Sequence, residues 1–420
     1  MAPASLWHLL RRPSPASRRA LSVASTASLS LAHPTTRVTL RASDAARTDV
    51  TIVPVSTASA AAHVEARAWT AAGHETDVEQ LFRVDVDVAA DAQSLRLVKK
   101  TADAVDVALE LVVPRSVALD VIIANGRVAL RDAVEGDVKV VVQHGDLCVH
   151  KVRGPRVRLS ANHGALEVAA LVEGETVDLC AHDGLQCQRL LARRARVKLG
   201  KGHATRCSTL GAIYAASCSI AVAPQASRGA SQLHVGAVHG HLQVKSAGLD
   251  RLQVDSVSGT IDVEDSGRAC HVTAHFDSWP SDSCSRIVVA GDVHVSVQPA
   301  ASMDVELHGT SVTVGDQCVF ERSDMDEVDA DYAVFTGQLC AREEAVAAAT
   351  STGKIDVRSA KQDALRTSFF MQPADGGNEA RDESKPSRLF VHAQQGAVTL
   401  DQLTWMDNVK RKYVKQLEKQ

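Results

Sequence analysis

Three histidines recur at a fixed interval and could act together. His144, His163 and His182 are evenly spaced along the sequence. Imidazole nitrogens bind zinc and titrate near neutral pH, so this spacing could build a metal site or a pH sensor. A tetrahedral zinc site needs ligands that converge on one point, whereas a repeat of fixed length spreads side chains along a line. We therefore favour a turn-forming role for the three histidines and keep metal binding or pH sensing as the alternative.

The densest group of positive charges lies between residues 189 and 206. It consists of Arg189, Arg193, Arg194, Arg196, Lys198, Lys201 and Arg206, and we expect Arg156 and Arg158 on the same outward face. A basic surface of this kind can bind an anionic lipid headgroup, an RNA phosphate or an acidic partner. Because no aromatic residues are interleaved for base stacking, nucleic acid is disfavoured. We therefore favour a solvated face without a ligand and keep a binding surface as the alternative.

An acidic run follows much later in the chain. Asp324, Asp326, Glu327, Asp329 and Asp331 alternate in a way that resembles calcium ligation, but the turn glycine and the terminal bidentate glutamate of an EF-hand loop are missing. We therefore expect an acidic surface loop.

The nine cysteines include no C-x-x-C pair, which indicates reduced thiols of an intracellular compartment. Cys187 and Cys207 are separated by nearly the same interval as the histidines, so they could stack on adjacent coils within reach of a disulfide. Two unlinked neighbouring thiols are the favoured state.

Sequence motifs for catalysis are missing. The chain has no G-x-S-x-G, H-E-x-x-H or phosphate-loop motif. We therefore expect a protein that is not an enzyme and that uses no cofactor and no metal. The alternative is a carbohydrate-active enzyme on a β-helix scaffold, in which Asp262 or Asp304 would be needed for hydrolysis.

An internal repeat with a period of about 19 to 20 residues must position all of these side chains. One set of apolar pairs keeps a single column, namely Val128/Leu130, Leu147/Val149, Leu166/Val168 and Leu185/Cys187. A second set runs between them, namely Val138/Val140, Val157/Leu159, Val177/Leu179 and Val197/Leu199. One unit is too short for a strand-helix-strand motif. The pattern predicts an all-β, single-stranded β-solenoid (β-helix) with two short strands per coil, in which each strand pairs in parallel with its counterpart one coil on.

Glycines after a polar residue mark the predicted corners between strands. Asn125-Gly126, His144-Gly145, His163-Gly164 and His308-Gly309 are examples. Glycine adopts a positive φ without steric cost, so we expect these corners to use that conformation.

The chain divides into four predicted parts. Residues 1–43 contain six arginines and no acidic residue, which is typical of a disordered mitochondrial transit peptide cut between about residues 20 and 45, with the matrix favoured over the intermembrane space. The alternative is a disordered basic tail. Residues 44–80 are a linker or an irregular segment, and residues 81–400 form the solenoid, with insertions near 318–346 and 371–388. Residues 401–420 form an amphipathic capping helix, whose predicted apolar face consists of Leu403, Met406, Val409, Tyr413 and Leu417.

Three segments resemble a known family. The run VVPRSVALDVIIANGRVAL at residues 112–130, with SVSGTIDVEDS and TSTGKIDVRS later, is similar to the bacterial "putative adhesin" domain family of repeated β-strands. The resemblance covers roughly residues 80–400 and implies a β-solenoid without a general enzymatic assignment. Mitochondrially targeted eukaryotic relatives would fit the basic N-terminal region.

These observations favour a non-enzymatic mitochondrial β-solenoid that acts as a scaffold or as an adhesion-like module for protein partners. The alternative is the binding of anionic lipid or another anionic ligand through the basic face, with Arg156, Arg158, Arg193, Arg194, Arg196 and Lys198 as the candidate contacts. Neither the partner nor the oligomeric state follows from the sequence.

Overall fold

The structure is a computed structural model, and nearly all of its regular secondary structure is β-strand. It describes residues 27–29, 35–56, 64–71, 73–89, 92–100, 105–200, 207–223, 231–267, 270–329, 331–342, 386–404, 406–408 and 410. Among these residues, no helix has the length and apolar character needed to cross a membrane. The all-β prediction is confirmed.

Strands β1 to β13 have at most 8 residues, whereas β14 to β18 have 15 to 17. The first ten are β1 Ala27–Leu29, β2 Thr35–Ala42, β3 Thr48–Val55, β4 Val64–Thr70, β5 Glu75–Thr76, β6 Phe82–Ala89, β7 Ala92–Lys99, β8 Val107–Pro114, β9 Ala118–Asn125 and β10 Val128–Glu135. The central eight are β11 Val138–His144, β12 Leu147–Arg153, β13 Arg156–His163, β14 Ala165–Ala181, β15 Gly184–Leu199, β16 Ser208–Val222, β17 Gln232–Ser246 and β18 Arg251–Asp265. A four-residue helix, α1 Val78–Leu81, precedes β6.

The C-terminal strands are again short. They are β19 His271–Ser278, β20 Cys284–Val289, β21 Val293–Val297, β22 Met303–Gly309, β23 Ser311–Val314, β24 Phe320–Asp329, β25 Tyr332–Leu339, β26 Arg388–Ala393 and β27 Ala397–Gln402.

The strands form two long stacks, and the chain alternates between them. The first stack runs β6, β7, β2, β9, β11, β13, β14, β15, β16, β17, β18, β20, β26, β22, β25 and β24. The second stack runs β4, β8, β3, β10, β12, β14, β15, β16, β17, β18, β19, β21, β27 and β23. Strands β14 to β18 turn the corner without a break and contribute to both stacks. The predicted solenoid with two strand segments per coil is therefore present.

The core consists of aliphatic ladders whose members come from successive coils. Leu147 pairs with Leu166, which pairs with Leu185, and all three are at most 1% exposed. Inward side chains of both stacks join one hydrophobic cluster. Because a single coil cannot bury its own apolar face, the stability of each coil depends on its neighbours.

Corner carboxylates tie one coil to the next. Asp49, Asp146 and Asp292 accept hydrogen bonds from the backbone N–H groups of Arg127, Ala165 and Ala397, at 2.9, 2.9 and 3.0 Å. Each of these N–H donors lies at a corner, where the strand ladder offers no acceptor, so it would have no partner without the carboxylate. The aspartates near the corners are therefore part of the fold.

One part of the predicted register is wrong. Val177 pairs with Ala195, and Val197 pairs with Leu179, so the expected Val177–Val197 neighbours are out of step by two residues. A bulge in β14 between Val168 and Val172 adds one residue to this strand relative to β15 and accounts for one residue of the difference.

The N-terminal boundary also differs from the prediction. β2 lies between β7 and β9, and β3 lies between β8 and β10, so residues 35–55 form a complete coil. Val38 and Leu40 are fully buried in it. The expected disorder is therefore wrong for residues 35–42, and the expected linker is wrong for residues 48–55. Residues 1–26 and 30–34 lie outside the described part of the chain.

The C-terminal end differs as well. The predicted insertion near 318–346 contains β24 and β25, which form an antiparallel hairpin, and most of the insertion predicted at 371–388 lies outside the described residues. Residues 401 and 402 end β27, and the described helical residues after it are 406–408 and 410. Met406 is 54% exposed, so its predicted place on a packed apolar face is wrong.

Candidate functional site

The predicted basic residues on β15 project outward from the first stack. Arg194, Arg196 and Lys198 are exposed and alternate with buried Ala195 and Val197. This alternation follows from the two-residue period of a strand, and it places three cations on one side at steps of about 6.6 Å. We call these three residues the basic strip.

The adjacent strands complete the surroundings of the basic strip. Thr176, Asp178 and Cys180 flank it on β14, and Ser217, Ser219 and Ala221 flank it on β16. Hydroxyl groups and one carboxylate therefore lie beside the cations. Among the described residues, no carboxylate pairs with Arg194, Arg196 or Lys198, so their charges face solvent.

Arg156 and Arg158 lie on the same outward face, two strands from the basic strip. Arg158 is in register with Asp178, which is in register with Arg196. The two arginine backbones are therefore about 10 Å apart, with Asp178 between them. Arg156 is engaged elsewhere, because it donates to Asp137 at 2.6 Å.

The remaining basic residues are spread over other positions. Arg193 is exposed at the corner just before the basic strip. Arg189 pairs with Ala212 on the second stack, before the chain turns, and so does not belong to the same face. Lys201 and Arg206 lie outside the described residues. The anion-binding role of the six candidate contacts stays a prediction.

The histidine ladder has the expected spacing. The rings of His144 and His163 stack with their centroids 4.6 Å apart and their planes 8° apart, and His163 and His182 follow at 5.2 Å. In a stacked pair the nitrogen lone pairs run parallel, so they do not converge on one ion. No group of three or more potential metal ligands is found in the described part of the chain. The geometry therefore fits a stacked corner better than a metal site.

The acidic run forms a strand, so the expectation of a loop is wrong. Asp324, Asp326 and Asp329 belong to β24, which pairs with β25 and has every residue after Phe320 exposed. The apolar residues of β25 supply the cross-strand partners that a loop would not have.

The two cysteines are not neighbours across adjacent coils. Cys187 is buried and pairs with Leu210, whereas Cys207 is exposed and precedes β16. Both thiols are free. Burial raises the pKa of Cys187 to about 12, so this thiol is a poor nucleophile.

The two aspartates of the alternative enzyme are far apart. Asp262 lies on β18 beside Arg286 of β20, and Asp304 lies on β22 opposite Arg388 of β26. Three strand steps separate β18 from β22, about 14 Å. Paired glycosidase carboxylates lie within about 10 Å of each other. The structure does not bring these two residues together.

The expected corner at His308-Gly309 is wrong, because both residues belong to β22 and Gly309 is not among the positive-φ glycines. His308 belongs instead to a polar cluster near the C-terminal end of the first stack, which the sequence analysis did not predict. His308 lies 2.8 Å from Glu306 through Nε2 and 2.9 Å from the Tyr332 hydroxyl through Nδ1. The hydrogen bond with His308 and the pairing with Arg388 hold the pKa of Glu306 below its usual value, although partial burial opposes them. This arrangement joins β22 to β25 through side chains. His308 and Tyr332 are 24 residues apart in sequence, which gives no spacing signal.

A second missed cluster is buried. His275 is 1% exposed, with Nδ1 2.8 Å from the Ser296 hydroxyl and Nε2 3.1 Å from Asp277. Burial alone would raise the pKa of Asp277. The hydrogen bonds with His275 and Ser256 have the larger, opposite effect, so the pKa lies below its usual value. Ser296 is also 1% exposed, so a substrate cannot reach this serine and histidine. The cluster is a polar network that joins neighbouring coils.

Comparisons with known proteins identify no family. No family model matches the chain, and no curated protein matches its sequence. A crystal structure of a "putative cell adhesion protein" from Clostridium sporogenes aligns over 90% of this chain and 99% of its own, at 6% identity and a TM-score of 0.17. At this TM-score the likeness carries no argument about fold or function. The family resemblance of the sequence motifs stays a prediction.

Proposed function

We propose that the protein is a non-catalytic β-solenoid module that binds an acidic protein surface through the basic strip. The observation that carries the proposal is the alignment of Arg194, Arg196 and Lys198 on one exposed face, where none of them forms an ion pair with a carboxylate of the described residues, although Asp178 lies beside Arg196. Exposed cations without an ion-pair partner remain available to an external anion.

The scaffold around the basic strip supports binding. β15 pairs with β14 on one side and β16 on the other over most of its length. The cations are therefore mounted on a strand without a free edge, which limits backbone movement on binding. Ser217 and Ser219 add hydroxyl groups that can donate to a carboxylate beside the arginines. A rigid array loses less conformational freedom when it binds.

The side chains around the basic strip favour a protein partner over a membrane or RNA. Stable membrane attachment combines a basic cluster with inserted apolar groups. The exposed large apolar residues in the described part of the chain lie away from the basic strip, at Val55, Val86, Val105, Val319, Met325, Val328 and Met406. No aromatic side chain is in register beside the strip, so base stacking has no platform there.

Charge reversal tests the proposal directly. We expect R194E/R196E/K198E to weaken binding of fluorescein-labelled poly-L-glutamate at least tenfold in a fluorescence anisotropy titration, because attraction becomes repulsion. The matched control reverses three exposed arginines elsewhere, as R83E/R131E/R251E. Equal loss in both variants would contradict the assignment to the basic strip. So would tighter binding to phosphatidylserine vesicles or single-stranded RNA than to poly-L-glutamate at the same ionic strength.

The proposed address is the mitochondrion, with the matrix favoured. The arginine-rich composition of residues 1–43 supports it. Because β2 begins at Thr35, a processing cut before that residue would leave the coil formed by β2 and β3 intact. Import of the radiolabelled chain into isolated mitochondria, followed by N-terminal sequencing of the protected product, tests both points. A C-terminal fluorescent fusion that is excluded from mitochondria would refute the address.

A further inference from the structure

A cavity opens where the regular corner of the solenoid is interrupted. In β14 to β18 the chain passes from one stack to the other within a single strand. After β19 and after β21, five-residue loops take over this corner, at residues 279–283 and 298–302. The two loops and residues 386–387 border a cavity of about 440 Å³.

The order of the strands explains the cavity. β26 lies between β20 and β22, so the segment that connects β21 to β22 must span two strand spacings along the stack where one would otherwise suffice. The loop at 298–302 spans that extra step, and Gln298, Ala301 and Ser302 line the cavity. The cavity is therefore a consequence of the topology, and its volume falls within the range of about 300–1,000 Å³ that is typical of ligand sites.

An aromatic platform and uncharged polar groups line the cavity. Trp279 stacks on Phe276 with the ring centroids 4.3 Å apart. Ser278, Ser281 and Gln298 also line the space, and the described lining residues include no charged side chain. The lining thus offers a flat apolar surface beside groups that can both donate and accept hydrogen bonds.

Hydrogen bonds hold both loops in place before any ligand arrives. The carbonyl oxygen of Pro280 accepts from the hydroxyls of Ser283 and Ser387, at 2.5 and 2.9 Å. The carbonyl oxygen of Pro299 accepts from the Gln402 amide and from the backbone N–H of Arg342, at 3.0 and 2.8 Å. A cavity with fixed walls loses little conformational entropy on binding.

One donor at the cavity has no partner in the described part of the chain. The indole Nε1 of Trp279 is buried and makes no hydrogen bond there. Buried polar groups in folded proteins nearly always have partners, so this donor is an exception. Because this nitrogen is closed to solvent, a ligand in the cavity would contact the indole ring and not this donor.

We propose that this cavity binds a small, neutral, polyhydroxylated molecule of monosaccharide size, with one face of the sugar ring against Trp279. The C–H groups of a pyranose ring would cover the indole, and its hydroxyls would bond to Gln298, Ser278 and Ser281. A charged ligand would lose hydration without gaining a counter-charge from the described lining. The site is separate from the basic strip and does not depend on it.

Fluorine NMR of the full chain tests the proposal. The protein has four tryptophans, so 5-fluorotryptophan labelling gives four signals, and W279F identifies the one from Trp279. We expect methyl β-D-glucopyranoside or myo-inositol to shift this signal in a saturable way, with a dissociation constant of about 1 mM. Glucuronate should bind more weakly than the neutral sugar. W69F is the matched control, and its Trp279 signal should respond as in the wild type.

A second variant keeps the test independent of folding at Trp279. Q298L removes polar contacts and leaves the ring platform, and we expect at least fivefold weaker sugar binding with an unchanged melting temperature. The absence of a saturable shift with both neutral polyols would overturn the proposal, and so would unchanged binding in Q298L. A response to benzyl alcohol without a response to either polyol would assign the cavity to an apolar ligand instead.

Discussion

Lys99 carries a charge inside the N-terminal coils. Its side chain is 2% exposed, and its Nζ lies 2.8 Å from Asp44, which is itself 9% exposed. The same ammonium donates to the Thr48 hydroxyl and to the carbonyl oxygen of Val105, each at 3.0 Å. Two acceptors thus hydrogen-bond to the ammonium, and the Asp44 carboxylate, whose oxygens make no hydrogen bond in the described part of the chain, balances its charge. The interaction fastens β7 to the turn between β2 and β3, which shows that Asp44 has a structural role.

Removal of this ammonium should destabilise the N-terminal coils. We expect K99M to lower the free energy of unfolding by about 3–5 kcal/mol, because it leaves the Asp44 carboxylate buried and unpaired. The double variant K99M/D44N removes both charges and should recover part of the loss. Urea unfolding followed by circular dichroism measures both changes. A K99M protein as stable as the wild type would show that water, and not Lys99, compensates the carboxylate.

Corner glycines show how far residue types alone can be interpreted. Gly145 has the predicted positive φ of 130°, so its conformation could be anticipated from the His-Gly step. Gly164 follows an identical step but is not among the positive-φ glycines. Gly164 is needed because two coils approach closely here: a Cβ at this position would lie 2.0 Å from the carbonyl oxygen of Gly145. The sequence predicts that a corner exists, whereas close approach between coils depends on their exact stacking.

β24 forms the last strand of the first stack and shields an exposed edge with charge. Both of its faces are exposed, and Met325 and Val328 are 46% and 60% exposed. An edge strand with apolar side chains can pair with another molecule. The carboxylates of Asp324, Asp326 and Asp329 would repel a second acidic edge, including that of another copy of this chain. We interpret the acidic run as protection against such pairing.

Removal of the charges from β24 should therefore cause self-association. We expect D324T/D326T/D329T to form higher oligomers as its concentration rises, since threonine favours strands and no longer repels a neighbouring edge. Size-exclusion chromatography with light scattering measures the molar mass. The control variant E175T/E264T/D316T removes the same charge from exposed positions outside β24. Association in the control alone, or identical molar masses for all three proteins, would contradict an edge-specific role.

Register along the strands could be predicted only where the repeat is uninterrupted. The pairing of Val138 with Val157 follows from the regular repeat. At β14 a bulge changes the local step, and the expected partner of Val177 is replaced by Ala195. All coils share the same apolar alternation, so a shift by two residues still buries an apolar face. Hydrophobic patterning identifies the strands here but does not distinguish between these registers.

At the scale of the whole molecule, the order of the coils differs from the order of the sequence at both ends. The β2–β3 coil lies between β7–β8 and β9–β10, and the β26–β27 coil lies between β20–β21 and β22–β23. The sequence pattern does not reveal these insertions, because each inserted coil presents the same ladders as its neighbours. The two terminal regions thereby become internal parts of the solenoid. Their removal would open the stack and would not merely shorten it.

N-terminal truncation distinguishes an internal coil from a dispensable leader. A chain that starts at residue 35 retains β2 and should fold like the full-length protein. A chain that starts at residue 48 loses Val38 and Leu40 from the core and leaves β7 and β9 about 10 Å apart, without the strand that both require. We expect fast hydrogen exchange in β7, β9 and β11 of the shorter chain, measured by mass spectrometry, while β20 to β22 keep their protection because coils interact chiefly with their neighbours. Equal protection of β7 and β9 in the two truncated chains would refute the structural role of the β2–β3 coil.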